Sequence, residues 1–285
     1  MLIIGEKING TRRQVAKAIA ERDKEYIQDL ARRQENAGAD YLDVNAGTKP
    51  DLEPDALVWL VRVVQEVVDV PLCLDSVNPK ALTAAMDHVE QTPMVNSISG
   101  EKKLLEEVLP LAANHGCPLI ALALDDRGIP KTTEDRLAIV RQVIQETDRA
   151  GIAHDRLFVD PLVIAIATDT NSALKAFETM RGIKAEFPDV HLTSGLSNIS
   201  FGMPARGLIN RAFLAFALEA GLDSGIMNPL DRALYEALLA AEVVLGRDRY
   251  CLNYTNAYRE GRIGPPLEER ERHAERMKGG EMKEK

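Results

Sequence analysis

Leu74-Asp75-Ser76, Val95-Asn96-Ser97, Val159-Asp160-Pro161 and Ser194-Gly195-Leu196-Ser197-Asn198 share one grammar. Each begins in an apolar run, presents a carboxylate or amide, and gives way to a segment with helical periodicity. A strand that ends in a polar residue and leads into a helix is the βα half of a parallel α/β unit. In a closed parallel barrel all such ends open on one face, where catalytic groups gather from several strands. The four stretches therefore predict a barrel with a common polar mouth.

Working outward, short apolar or β-branched runs begin near Leu2, Asp40, Pro71, Pro93, Pro118, Leu157, His191 and Leu222. Their spacing of roughly 30 residues is the length of one βα unit. Helical periodicity lies between them. Leu57, Leu60, Val61 and Val64 follow Pro54, which suits a first helical turn, and Ile209, Ala212, Phe213, Phe216 and Ala217 stripe a later segment. Thr132 and Asp135 read as a capping box ahead of a helix that Gly151 stops, and Gly38, Gly116 and Gly221 stand where other helices should turn towards a strand. The first strand is followed by Gly5-Glu6-Lys7-Ile8-Asn9 and not by a G-x-G-x-x-G dinucleotide loop, which disfavours an open doubly wound sheet. The predicted fold is α/β, a (β/α)8 TIM barrel over residues 1–260, with a charged tail at 261–285 that is helical or disordered.

Composition narrows the partners. The chain has 285 residues, and its 44 acidic against 35 basic side chains leave a net charge of −9. Such a balance argues against a basic nucleic-acid-binding stripe. No apolar run has the roughly 20 residues needed to span a bilayer, and Glu6 interrupts what would be a signal peptide, so a cytoplasmic location is expected. The three cysteines, Cys73, Cys117 and Cys251, lie far apart with no C-x-x-C spacing. They read as reduced, mostly buried thiols, not as a disulfide or zinc framework.

The polar strand-end inventory is Glu6, Asn9, Asp43, Asn45, Asp75, Asn96, Asp160, Ser197, Asn198 and Asn228. Carboxylates and amides dominate it. A Schiff-base mechanism wants a desolvated strand-end lysine, a metal site wants clustered histidines or cysteines, and a Ser-His-Asp triad wants a placed histidine; the inventory supplies none of these, and no bound metal is expected. An ionised Asp accepts paired hydrogen bonds from an amino-pyrimidine edge, and an Asn amide offers a donor and an acceptor to a neighbouring ring atom. A pterin fits that pattern. Asp and Asn also cap helices after strands, yet Ser76 already serves as a cap beside Asp75, and Pro161 requires no acid before it.

The opening LIIGEKING, GADYLDVNAGT (Gly38 to Thr48), LCLDS (Leu72 to Ser76), VNS (Val95 to Ser97), FVDPL (Phe158 to Leu162), GLSNISFG (Gly195 to Gly202) and RGLINRAFLA (Arg206 to Ala215) together resemble the methyltetrahydrofolate:corrinoid protein methyltransferases. These are pterin-binding barrels, a group that also includes dihydropteroate synthase and the folate domain of cobalamin-dependent methionine synthase. The resemblance runs in order through about residues 1–260.

The resemblance implies methyl transfer, in either direction, between the ring nitrogen of methyltetrahydrofolate and the cobalt of a corrinoid, within one-carbon metabolism of an anaerobe. Asp75, Asn96 and Asp160 are expected to hold the pterin. Asn198, flanked by Gly195 and Ser197, is expected to face the methylated nitrogen, with Asp75 also in a catalytic role. Glu6, Asn9, Asp43, Asn45 and Arg206 are further candidates. Tetrahydrofolate or methyltetrahydrofolate is then a substrate, and the cobalamin is carried by a separate corrinoid protein that docks transiently, because no D-x-H-x-x-G cobalamin loop is present in the chain. A homodimer is expected, with the apolar stretch from Leu208 to Leu218 as one candidate surface. The competing expectations are a dihydropteroate synthase-like enzyme, although strand eight ends Gly225-Ile226-Met227-Asn228-Pro229 without a basic phosphate-binding pair, and a catalytically silent folate-binding module.

Overall fold

The computed structural model describes residues 1–266 and 268–269, so most of the charged segment expected at 261–285 lies outside the described residues. Two compact units divide the chain, Met1–Leu230 and a second beginning at Asp231. The first holds all eight strands: β1 (Leu2–Asn9), β2 (Tyr41–Asn45), β3 (Leu72–Asp75), β4 (Met94–Gly100), β5 (Leu119–Asp125), β6 (Leu157–Asp160), β7 (His191–Leu192) and β8 (Ser224–Met227). Each starts within two residues of its expected position.

All pairings are parallel, in the order β7-β6-β5-β4-β3-β2-β1-β8. The two ends of that order meet. Ile226 N–H donates to the Ser194 carbonyl at 2.9 Å and the Ser224 hydroxyl to the Leu192 carbonyl at 3.1 Å, so the sheet closes into a barrel. Strand β7 has only two residues because the chain turns at Thr193 and Ser194 into a 3-10 segment, Leu196–Ser200.

Between the strands run α1 (Arg13–Glu21), α2 (Lys24–Asn36), α3 (Glu53–Gln65), α4 (Pro79–Met86), α5 (Lys102–Glu107), α6 (Leu109–Asn114), α7 (Thr133–Arg149), α8 (Ser172–Glu186) and α9 (Arg206–Glu219). Local chemistry sets several starts. Asp23 accepts from Tyr26 N–H at 3.1 Å, Asn78 from Lys80 N–H at 3.1 Å and Thr132 from Asp135 N–H at 3.1 Å, each cap contributing about 1 kcal/mol. Gly38, Gly116, Gly151 and Gly221 all have positive φ at the expected helix stops. No helix among the described residues is long and apolar enough to cross a membrane.

The α9 stripe is rotated from its expected face. Phe213, Leu214, Ala217 and Leu218 are buried, whereas Leu208 and Phe216 are exposed. Cys73 and Cys117 are buried free thiols, and Cys251 is exposed. In the second unit, α10 (Arg232–Val244) and α11 (Leu252–Arg259) bury Leu239, Ala257 and Ile263 with Tyr235 against them.

The barrel interior is layered. Ile4, Cys73, Met94, Ile120 and Phe158 form a buried cluster, with Tyr41, Leu122 and Ile226 packed against it. Successive side chains on a strand alternate faces, so residues two apart share one. Two residues past Tyr41, Cys73, Met94 and Phe158 stand Asp43, Asp75, Asn96 and Asp160. An apolar floor and a polar layer above it thus follow from the same alternation.

Candidate active site

The polar layer is a connected set. The Asp75 and Asn96 backbones are register partners across β3 and β4, and Asn96 Nδ2 donates to Asp43 Oδ1 at 3.1 Å. That bond commits the amide nitrogen of Asn96 and leaves its oxygen to accept from a ligand. Asn45 Nδ2 donates to the Asp75 carbonyl at 3.2 Å, while Asn45 Oδ1 is buried with no hydrogen-bond partner among the described residues.

Charge in the layer is regulated by burial. Asp43 is buried, and desolvation first, then the charge of Asp75, push its carboxyl well above the usual range, against the pull of the Asn96 amide. Both effects favour the neutral form of Asp43. Asp75 is raised to about 6, mainly by desolvation, with the Asn45 amide opposing and Glu53 adding to the rise.

Asp160 is buried and its carboxyl is raised to about 6 by desolvation, opposed by backbone N–H groups of Leu162 and Gly195 and by Arg136. Leu162 N–H reaches Asp160 Oδ1 at 2.8 Å. Asp160 thus ties the end of β6 to the loop that carries Asn198. Among the described residues the Asn198 side chain is exposed and hydrogen-bonded to nothing, while its backbone N–H donates to the Gly195 carbonyl at 3.1 Å.

Gly195 makes room for that amide. A Cβ at this position would lie 2.9 Å from Asn198 Nδ2, inside van der Waals contact, and the flexible amide would be the group to move. Gly195 has φ −70, so an alanine meets no backbone strain. Gly195→Ala is expected to leave the urea midpoint nearly unchanged but to turn Asn198 away, lowering about tenfold the rate of a reaction in which that amide takes part. An unchanged single-turnover rate would show that this contact does not set the amide's position.

The remaining expected residues fall into supporting contacts. Arg206 donates from Nη2 to the Ser197 carbonyl at 2.6 Å and from Nε to Ser200 Oγ at 3.0 Å, pinning the 3-10 segment from below its loop. Glu6 pairs with Arg12 at 2.8 Å. Asn9 Oδ1 accepts from both the backbone N–H and the hydroxyl of Thr11, and Asn228 Oδ1 accepts from Leu230 N–H. Both are turn residues in these contacts.

Two residues were missed in the sequence. Arg136 on α7 is buried and donates to the Pro161 carbonyl at 3.0 Å, bracing the segment after Asp160. An arginine inside a predicted amphipathic helix carried no signal of this role. Glu53 in the first turn of α3 accepts from Ser76 Oγ at 2.6 Å and from Asn78 Nδ2 at 3.0 Å, fixing the chain after Asp75. It reads in the sequence only as a first-turn acid.

Residues 5–228 match the family model of pterin binding enzymes. The chain belongs to that family. This pterin-binding enzyme is 42% identical over 267 residues to a methylcorrinoid:tetrahydrofolate methyltransferase of Eubacterium limosum, an alignment covering 93% of the chain and 98% of the relative. It is also 30% identical over 271 residues to methionine synthase of Mycobacterium leprae, covering 87% of the chain but 22% of that longer protein. Among solved structures, dihydropteroate synthase of Coxiella burnetii in complex with pteroic acid superposes with a TM-score of 0.64 at 18% identity, over 87% of this chain and 94% of that one. Dihydropteroate synthase of Stenotrophomonas maltophilia gives 0.66 at 17% identity, over 86% and 92%. At such identity these two likenesses speak to the barrel alone.

Proposed function

We propose that this pterin-binding enzyme transfers a methyl group between the cobalt of a corrinoid held by a separate protein and the ring nitrogen of tetrahydrofolate. The observation that carries this is the 42% identity, over nearly the whole length of both chains, to a methylcorrinoid:tetrahydrofolate methyltransferase. The geometry is consistent with it. Ionised Asp75 and Asp160 are acceptors for ring N–H and exocyclic amine donors, and Asn96 presents a free amide oxygen between them.

A methyl group on a tertiary amine has a poor leaving group, so the nitrogen must gain a proton or a hydrogen bond as the bond breaks. In the other direction, the secondary amine of tetrahydrofolate loses its proton as it takes the methyl. In our account Asn198 donates its amide N–H to that nitrogen, most strongly where charge develops in the transition state, an effect of about 2–4 kcal/mol. An exposed amide with no protein partner is available for this role without breaking an existing bond. One catalyst serves both directions, since it lowers the same barrier.

The proposed enzyme docks the corrinoid protein transiently, forms a homodimer and works in the cytoplasm within one-carbon metabolism. Leu208 and Phe216, exposed on α9 at 63% and 61%, support a self-contact. The function is tested by incubating the purified enzyme anaerobically with methylcobalamin and tetrahydrofolate and separating the folates. Methyltetrahydrofolate formed only with enzyme is the expected product. Folate binding without any methylated product would instead leave a silent binding module.

A further inference from the structure

The chain carries a net charge of −9, yet one cavity lined from β1, α1 and α2 is basic. Its volume is about 450 Å³, and Lys7, Arg12, Arg13 and Arg33 line it together with Tyr26 and Leu230. Arg12 is paired with Glu6, and Arg33 shares Asp29 at 3.5 Å. Among the described residues, neither the Lys7 ammonium nor the Arg13 guanidinium has a bonded carboxylate. The cavity also contains the start of α1, whose first turn has no side-chain cap and no acid, so its positive end adds to the field. Desolvation first, then the charge of Arg12, lower the Lys7 ammonium from its ordinary range against the opposing pull of Glu6, with Arg33 adding to the fall.

Position relates this cavity to the proposed substrate. The expected pterin grip comes from β3, β4 and β6. In an eight-strand ring closed between β7 and β8, the side opposite that arc lies at β8 and β1. The cavity is there. Lys7 belongs to β1, and Leu230 follows β8. Glu6 connects the two regions, since it holds Arg12 and its charge acts on Asp43. A folate carries its aminobenzoyl-glutamate tail on the edge of the ring away from the amino-pyrimidine, so a ring gripped from β3, β4 and β6 sends its tail towards β8 and β1.

We infer that the Lys7, Arg12, Arg13 and Arg33 cavity is a subsite for the glutamate carboxylates of the folate tail, and that the enzyme prefers folates with several glutamates; this rests on the function proposed above. Each added γ-linked glutamate brings one more α-carboxylate, the ligand chemistry that guanidinium groups and a helix start bind best.

The test is calorimetry on the full chain with methyltetrahydrofolate bearing one or three glutamates. The wild type is expected to bind the triglutamate about tenfold tighter, the effect of one net charge-assisted contact, and the preference should shrink with added salt. Arg13→Ala and Arg33→Ala should each reduce the ratio to about twofold or less, while Arg13→Lys, folded to the same melting temperature, retains most of it. Equal wild-type affinities for the two folates, or a preference that survives both alanine variants, would overturn the subsite. So would variants that slow transfer from a corrinoid protein with the ratio intact, which would assign the cavity to partner docking. If neither folate binds, the proposed function falls along with it; if both bind equally and are methyl donors, only the subsite falls.

Discussion

Asn198→Ala is expected to slow methyl transfer by about 10²–10³-fold while changing unfolding free energy by no more than about 0.5 kcal/mol. The two halves of that result have separate physical causes. Asn198 is exposed and its side chain bonds no described residue, so truncation leaves no buried group unpaired and opens no cavity. Its backbone bonds to Gly195 and from Phe201 survive in alanine, so the 3-10 segment keeps its shape. The rate, in contrast, loses a donor that acts where charge develops on the reacting nitrogen, and folate affinity falls more modestly. Single-turnover kinetics beside urea denaturation measure both. A wild-type rate would remove Asn198 from the mechanism, and a large loss of stability would mean that the loop, not the chemistry, depends on it.

Asp160→Asn is expected to do the reverse: to stabilise the fold at alkaline pH and to damage binding. Burial raises the Asp160 carboxyl from 3.8 to about 6. An acid raised in this way favours the folded state fully below its unfolded pKa, and that contribution is lost as pH climbs through the folded value. Above about pH 6 the ionised carboxylate costs the fold about 3 kcal/mol relative to acid conditions. An amide carries no charge at either pH. The variant's stability relative to wild type should therefore rise by roughly 1.5 kcal/mol between pH 5 and pH 8, read by urea denaturation at both. Because a charged acceptor is lost from the pterin grip, folate affinity should drop about 10- to 100-fold at pH 8. A stability difference independent of pH would contradict the titration, and unchanged affinity would take Asp160 out of the grip. Stability held back at a binding residue is a common cost of function.

Much of this layer is legible in the amino-acid sequence. Asp43, Asp75, Asn96 and Asp160 each sit two residues past an interior apolar side chain, and period-two alternation is a property that sequence displays directly. The helix cap at Thr132 is equally local, whereas α4 is capped by Asn78 and not by Ser76, whose hydroxyl instead accepts from Asn78 N–H. What could not be read depends on contacts distant in the chain. The register of β1 against β2 shifts between Gly5 and Ile8, setting two residues, Glu6 and Lys7, against Asp43 alone, and alternation gives no warning of such a bulge. Lys7 then lines the cavity with Arg33 of α2, a juxtaposition made by tertiary packing. On α9 the segment is apolar on more than one side, so periodicity found Phe213 and Ala217 but missed buried Leu214 and Leu218 and wrongly counted exposed Phe216 in the stripe. Arg136 was hidden for a similar reason, since its partner is a backbone carbonyl 25 positions away.

Methyl transfer is the reaction that this barrel mouth is expected to catalyse. It is tested most directly by mixing the enzyme anaerobically with cob(I)alamin and methyltetrahydrofolate and following the optical conversion of cob(I)alamin to methylcobalamin. The expected conversion scales with enzyme concentration and is suppressed by Asn198→Ala. Conversion no faster than without enzyme, under conditions where calorimetry shows folate bound, would contradict it.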